Sequence, residues 1–161
     1  MKVEVPTLDQ FTLQAVDEIR FSGTNEEIKY SVEITAQSIT NRVVVALMDQ
    51  TQQKGMAIAI YTATGEVCDV SNGGGVIGYL KQAPLNPNQA IECELSIFRF
   101  GKNFVCNAVV EGETFLYPAF SCEGCAPMAA LVGKECHNGD SQCSWNHLNI
   151  EMQELNDVIA A

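Results

Sequence analysis

Polar and apolar residues alternate along most of this chain, with the two-residue period of strands that bury one face. In "EIKYSVEITAQS", Ile28, Tyr30, Val32 and Ile34 fall on one side and Glu27, Lys29, Ser31, Glu33 and Thr35 on the other, the pattern of a half-buried antiparallel strand. "RVVVALMD" is a more continuous apolar run, suited to the interior of a sheet, and "GMAIAIYTATGEVCDV" reads as strand, turn at "TATG", strand. Further on, "AIECELSIFRF" sets Ile91, Cys93, Leu95, Ile97 and Arg99 on one face. "GKN" turns the chain, "NFVCNAVV" returns, "EGE" turns again and "TFLYPAF" makes another strand. Pro118 has no N–H to give to a ladder, so this last strand belongs at a sheet edge or ends there.

The two irregular segments are "SNGGGVIG" and "APLNPNQ". Glycine admits positive φ and proline removes a ladder donor, so both segments read as loops. The ends of the chain change period. Thr7 and Gln10 resemble a capping box, and Leu8, Phe11, Ala15, Val16 and Ile19 share a face at helical spacing, although "VDEIRFSG" also alternates. A short helix running into a strand near Arg20 is expected there. In "SWNHLNIEMQELNDVIAA", Leu148, Met152, Leu155 and Ile159 recur at helical spacing, with Ser144 or Asn146 as N-cap, and predict a C-terminal amphipathic helix.

The expected fold class is therefore all-β, an antiparallel two-sheet β-sandwich with a C-terminal helix and a short N-terminal one. One domain of 161 residues divides into a lead-in over 1–26, a sandwich core over 27–120, a cysteine-rich loop over 121–144 and the helix over 145–161. A hydrophobic fraction of 47% with 18% charged residues is that of a folded domain.

Charge and cysteine content narrow the function. A net charge of -11 repels phosphate backbones and anionic lipid, which argues against nucleic-acid and membrane partners; its leading reading is solubility and resistance to self-association, with attraction for cations or basic partner surfaces as the alternative. The sequence has neither a run of signal-peptide type nor an apolar stretch long enough to span a bilayer. Seven cysteines, an odd number, leave at least one thiol unpaired within the chain. With the missing signal segment, that favours a cytoplasmic, soluble protein. Cys93 and Cys106 lie in alternating runs, where a thiol acts as a small core residue.

"CEGCAPMAALVGKECHNGDSQC" is the most chemical stretch. Cys122 and Cys125 form a Cys-x2-Cys knuckle that, with Cys136 and Cys143, would supply four thiolates to a structural zinc. The spacing of Cys136 and Cys143 is too wide for a second knuckle, so disulfides and free thiols stand beside zinc, and no cofactor is the leading expectation. His137 and His147 are the only histidines, and no G-x-S-x-G nucleophile motif is present. The glycine-rich loop lacks the lysine and serine of a phosphate-binding loop. Asp69 and Asn72 are candidate ligands there, for calcium among others, although no regular acidic ladder accompanies them. Asn86 and Asn88 are the candidates in the proline-containing loop.

The strands in "YSVEITA", "GMAIAIYTATGEVCDV" and "IECELSIFRFGKNFVCNAVVEGETFLYPAF" resemble, over about residues 30–120, a concanavalin A-like jelly-roll sandwich, the group that includes laminin-G-like modules and SPRY domains. "FLYPAF" is similar to the "LYP" strand near the end of SPRY domains. The resemblance implies a scaffold whose loops or concave sheet bind peptide or carbohydrate without catalysis. Trp145, the single tryptophan, lies outside the matching region, so neither an aromatic-rich peptide loop nor a sugar platform stands out. The expected function is a non-catalytic module presenting loops to a protein or glycan ligand. The alternatives are a structural subunit that forms a homo-oligomer through its C-terminal helix or sheet edges, and a thiol- or metal-dependent enzyme.

Overall fold

The computed structural model describes residues 11–21, 23, 25–36, 42–49, 55–70, 75–82, 84–85, 89–121, 128–135 and 143–155. They form eleven strands: β1 (Phe11–Ile19), β2 (Asn25–Ala36), β3 (Arg42–Asp49), β4 (Gly55–Tyr61), β5 (Glu66–Asp69), β6 (Gly75–Tyr79), β7 (Ala90–Phe100), β8 (Asn103–Val110), β9 (Glu113–Ser121), β10 (Met128–Glu135) and β11 (Cys143–Glu154). A six-stranded sheet has the order β1-β10-β3-β4-β5-β6 and a five-stranded sheet the order β11-β2-β7-β8-β9. Every pairing between neighbours is antiparallel. The two-sheet sandwich expected from the alternation is the architecture observed.

The core lies between the sheets. Ile28, Tyr30, Val32 and Ile34 of β2 meet Val43, Val45 and Leu47 of β3 and Met56, Ile58 and Ile60 of β4, all fully buried. On β3 and β4 the opposite face is also buried, through Val44, Ala46, Met48, Ala57 and Ala59. This is why "RVVVALMD" and "GMAIAIY" read as nearly unbroken apolar runs. At one margin of the core the Arg99 guanidinium sits 5.9 Å from the Phe21 ring centre and 5.8 Å from that of Phe104, an arrangement in which a cation meets the electron-rich ring faces.

The turns fall where the sequence places them. Glu111 and Gly112, both with positive φ (50° and 78°), join Val110 to Glu113, the two-residue geometry whose twist matches that of a hairpin. Pro118 lies in β9, the edge of the five-stranded sheet, beside a register shift opposite Val105. An edge position and an irregular ladder spare its missing N–H a partner.

Several expected boundaries move. The segment 145–154 is not a helix: it is most of β11, paired to β2 with Ile150 opposite Tyr30 and Met152 opposite Ile28. Ile150 and Met152 also satisfy a two-residue period, and pairing to β2 with burial against the core outweighs the helical reading. Residues 11–19 are likewise strand, whereas 1–10 lie outside the described residues. The cysteine-rich stretch read as a loop contains β10, which lies between β1 and β3. The sandwich therefore extends on both sides of 27–120. Finally, "GVIG" belongs to β6 rather than to a loop.

Candidate functional site

Asp69, expected among loop ligands, is buried at the end of β5. The Tyr117 hydroxyl, from the opposite sheet, donates to its Oδ1 at 2.5 Å and accepts the Ala57 N–H at 3.2 Å. β5 ends at Asp69: Val70 N–H reaches Ala57 O, while the Tyr117 hydroxyl takes the Ala57 N–H and ties the two sheets together. Asp69 thus has a role in the interior. Cys106 sits opposite Tyr117 across β8 and β9, and burial together with the Asp69 carboxylate pushes its thiol up to about 12. Burial raises the Cys93 thiol as well. Cys68, Cys93 and Cys106 are free and buried, and for Cys93 and Cys106 the expectation of core thiols holds.

Asn72, Asn86, Asn88, Cys122, Cys125, Cys136 and His137 lie outside the described residues. Cys143 opens β11, opposite Ala36. Among the described residues no three His, Cys, Asp or Glu side chains gather in a way that could hold a metal.

The described residues place a different set of groups together, on the outer face of the six-stranded sheet. Arg42 of β3 pairs with Tyr61 of β4, and Glu66 of β5 pairs with Tyr79 of β6. Continuing the β4–β5 register beyond Ile60 and Val67 brings Tyr61 level with Glu66. Four strands thus contribute one row, Arg42–Tyr61–Glu66–Tyr79, on the face opposite the core. Alternation explains the placing: Val43, Ile60, Val67 and Leu80 point inward, so their neighbours point out.

The row is organised electrostatically. Arg42 Nη1 donates to the Tyr61 hydroxyl at 2.7 Å, and the guanidinium carbon lies 5.4 Å from the Tyr61 ring centre. Glu66 Oε2 lies 4.0 Å from Cys68 Sγ, in the adjoining row. Burial and the Glu66 carboxylate raise the Cys68 thiol while the Arg42 cation opposes them, so both charges act at one point. Tyr79, at the open end, is 61% exposed. A row that runs from a guanidinium through a carboxylate to an exposed ring can pack against an apolar ligand face at one end while donating and accepting directional hydrogen bonds along its length. The Cys68 thiol, held protonated, is a poor nucleophile.

No family model matches this sequence, and no curated protein matches it. Among solved structures, the chain is similar to the carbohydrate-binding module CBM66 from Bacillus subtilis, at 13% identity over 90% of this chain and 96% of that one, with a TM-score of 0.44. It is also similar to a homodimeric agglutinin from chicken liver, at 13% identity over 89% and 100% of the two chains and a TM-score of 0.43. A human SPRY domain matches at 12% identity over 87% and 99%, with a TM-score of 0.44. All three are concanavalin A-like jelly-roll sandwiches, the fold that the strand pattern resembles.

Arg42, Tyr61, Glu66 and Tyr79 are scattered through the sequence, and none belongs to a motif. Alternation gave little signal for them: Arg42 and Tyr61 end runs that are apolar on both faces, and Tyr79 follows a segment read as a loop. What joins them is the register of four strands, and a single sequence does not print register.

Proposed function

We propose that this chain is a non-catalytic binding module that takes a glycan on the row Arg42–Tyr61–Glu66–Tyr79. The observation that carries the reading is that row itself, in which two tyrosines alternate with a cation and an anion across four adjacent strands. A sugar ring presents an apolar face of C–H groups and a rim of hydroxyls. Tyr79 supplies a flat exposed surface for the first, and the forked donors of Arg42 and the oxygens of Glu66 suit vicinal hydroxyls. Arg42 is already oriented by Tyr61, which lowers the ordering cost of binding.

The test is a glycan array probed with the unaltered chain, Tyr79→Ala and Glu66→Gln. A defined set of glycans should be retained by the unaltered chain, and each variant should bind it about tenfold or more weakly. Tyr79 is exposed, so its variant should keep the melting temperature of the parent. An array without hits, or hits indifferent to both substitutions, would remove the reading.

A further inference from the structure

The outer face of the five-stranded sheet is built differently. A groove of about 270 Å³ crosses β11, β2, β7 and β8, with Ser31, Val109 and Leu148 among its lining and Glu92 and Glu94 at its side. Leu148 occupies the register shift between His147 and Asn149, which leaves it 49% exposed over the groove. The apolar character continues on the same face with Val105 and with Leu116, which is 80% exposed. Hydrophobic side chains of that size on an open sheet face are the usual mark of a contact surface.

The charges around the groove are mostly of one sign. Glu33 lies directly opposite Glu92 across β2 and β7, a like-charged pair that costs stability. Glu111 turns its carboxylate toward the same place, where its Oε1 accepts the Glu92 N–H at 3.3 Å. Against these carboxylates Lys29 stands 4.0 Å from Glu94, with both side chains more than a third exposed, so the pair offsets little of the field. These side chains do not converge as metal ligands do. A second copy of the chain would bring the same carboxylates and a net charge of -11 against them. Anionic lipid would be repelled in the same way.

We propose that this face docks a basic, leucine-bearing peptide segment of a protein partner, with its Lys or Arg side chains on Glu33, Glu92, Glu94 and Glu111 and its aliphatic side chains on Leu148, Val109 and Leu116. The surface lies on the sheet opposite the glycan row, and either site can be present without the other. Opposed charge speeds encounter and fixes orientation, and the apolar groove supplies the short-range part of the affinity.

Fluorescence anisotropy with three labelled synthetic peptides tests this: one alternating Lys and Leu, one alternating Lys and Ser, one alternating Glu and Leu. The Lys-Leu peptide should bind, the Lys-Ser peptide should bind more weakly and the Glu-Leu peptide should not bind. Affinity for the Lys-Leu peptide should drop about tenfold in Glu92→Gln/Glu94→Gln and in Leu148→Ser. Asp17→Asn/Glu18→Gln, which removes two charges from β1 of the other sheet, should bind as the parent does. Equal loss in both double variants would mean attraction to net charge alone and overturn the proposal. So would failure to bind the Lys-Leu peptide, indifference to Leu148→Ser, or light scattering that shows copies of the chain associating through this face. Vesicles of phosphatidylserine that competed for the groove would overturn it as well. Thermal melts of each variant separate a lost site from a lost fold.

Discussion

A hydrogen atom is all that Gly78 can hold toward the interior: a Cβ built there would overlap the Phe115 ring. Phe115 comes from β9 and Gly78 from β6, so this contact sets how closely the far edges of the two sheets approach. Gly78→Ala should therefore lower stability by about 1–3 kcal/mol, read as an earlier urea midpoint, because the ring or the strand must shift to admit a methyl group. An unchanged midpoint would show that the ring moves aside freely. In the sequence Gly78 reads as one more glycine of a flexible loop, and its steric role depends on a phenylalanine in another sheet. Asp69 is a similar case. A carboxylate next to a glycine-rich segment looks like a ligand, and only the cross-sheet approach of Tyr117 reveals it as an interior partner.

At the scale of elements, the strands with one clear period were legible and those with two were not. β2, β7 and β8 alternate cleanly, and their inward residues match the core. β11 carries both periods, since Leu148 and Met152 suit a helix while Ile150 and Met152 suit a strand. A helical reading attends only to residues within the segment, whereas β11 is decided by β2, which gives it a ladder from Ala36 to Glu26. Ile150 should accordingly behave as a strand residue packed on the core. Ile150→Ala should cost about 1–2 kcal/mol, less than a fully buried position because Ile150 is only partly buried. Asn149→Ala, which would stabilise a helix, should give no gain here. A rise in melting temperature for Asn149→Ala would contradict the strand. The candidate site escaped the sequence for a related reason: β3 and β4 are apolar on both faces and β6 reads as a loop, so their outward positions do not stand out, and which of them become neighbours depends on pairing.

For the whole molecule, the interior holds weakly acidic groups that folding keeps protonated. Burial pushes the Cys106 thiol up to about 12, and it moves Cys93 and the Tyr30 hydroxyl in the same direction. The folded chain thus binds these protons more tightly than the unfolded chain, and their contribution is complete below the ordinary thiol value near 9. It is lost as pH rises from there through about 12. The urea midpoint should fall steadily over that interval, and more gently in Cys106→Ala; a midpoint that rose with pH would reverse the sign of this argument. The strand order also imposes a timetable. The β3–β4–β5–β6 and β7–β8–β9 meanders close through neighbouring strands, but among the described residues β1 has only β10 beside it, and Phe11 meets Glu135. During synthesis, therefore, β1 waits without a sheet partner until β10 has left the ribosome, and β2 lacks β11 for longer still. Such late closure makes for slow folding. It leaves the half-made sandwich, with the open edge of β3 exposed, as the species most in need of a chaperone.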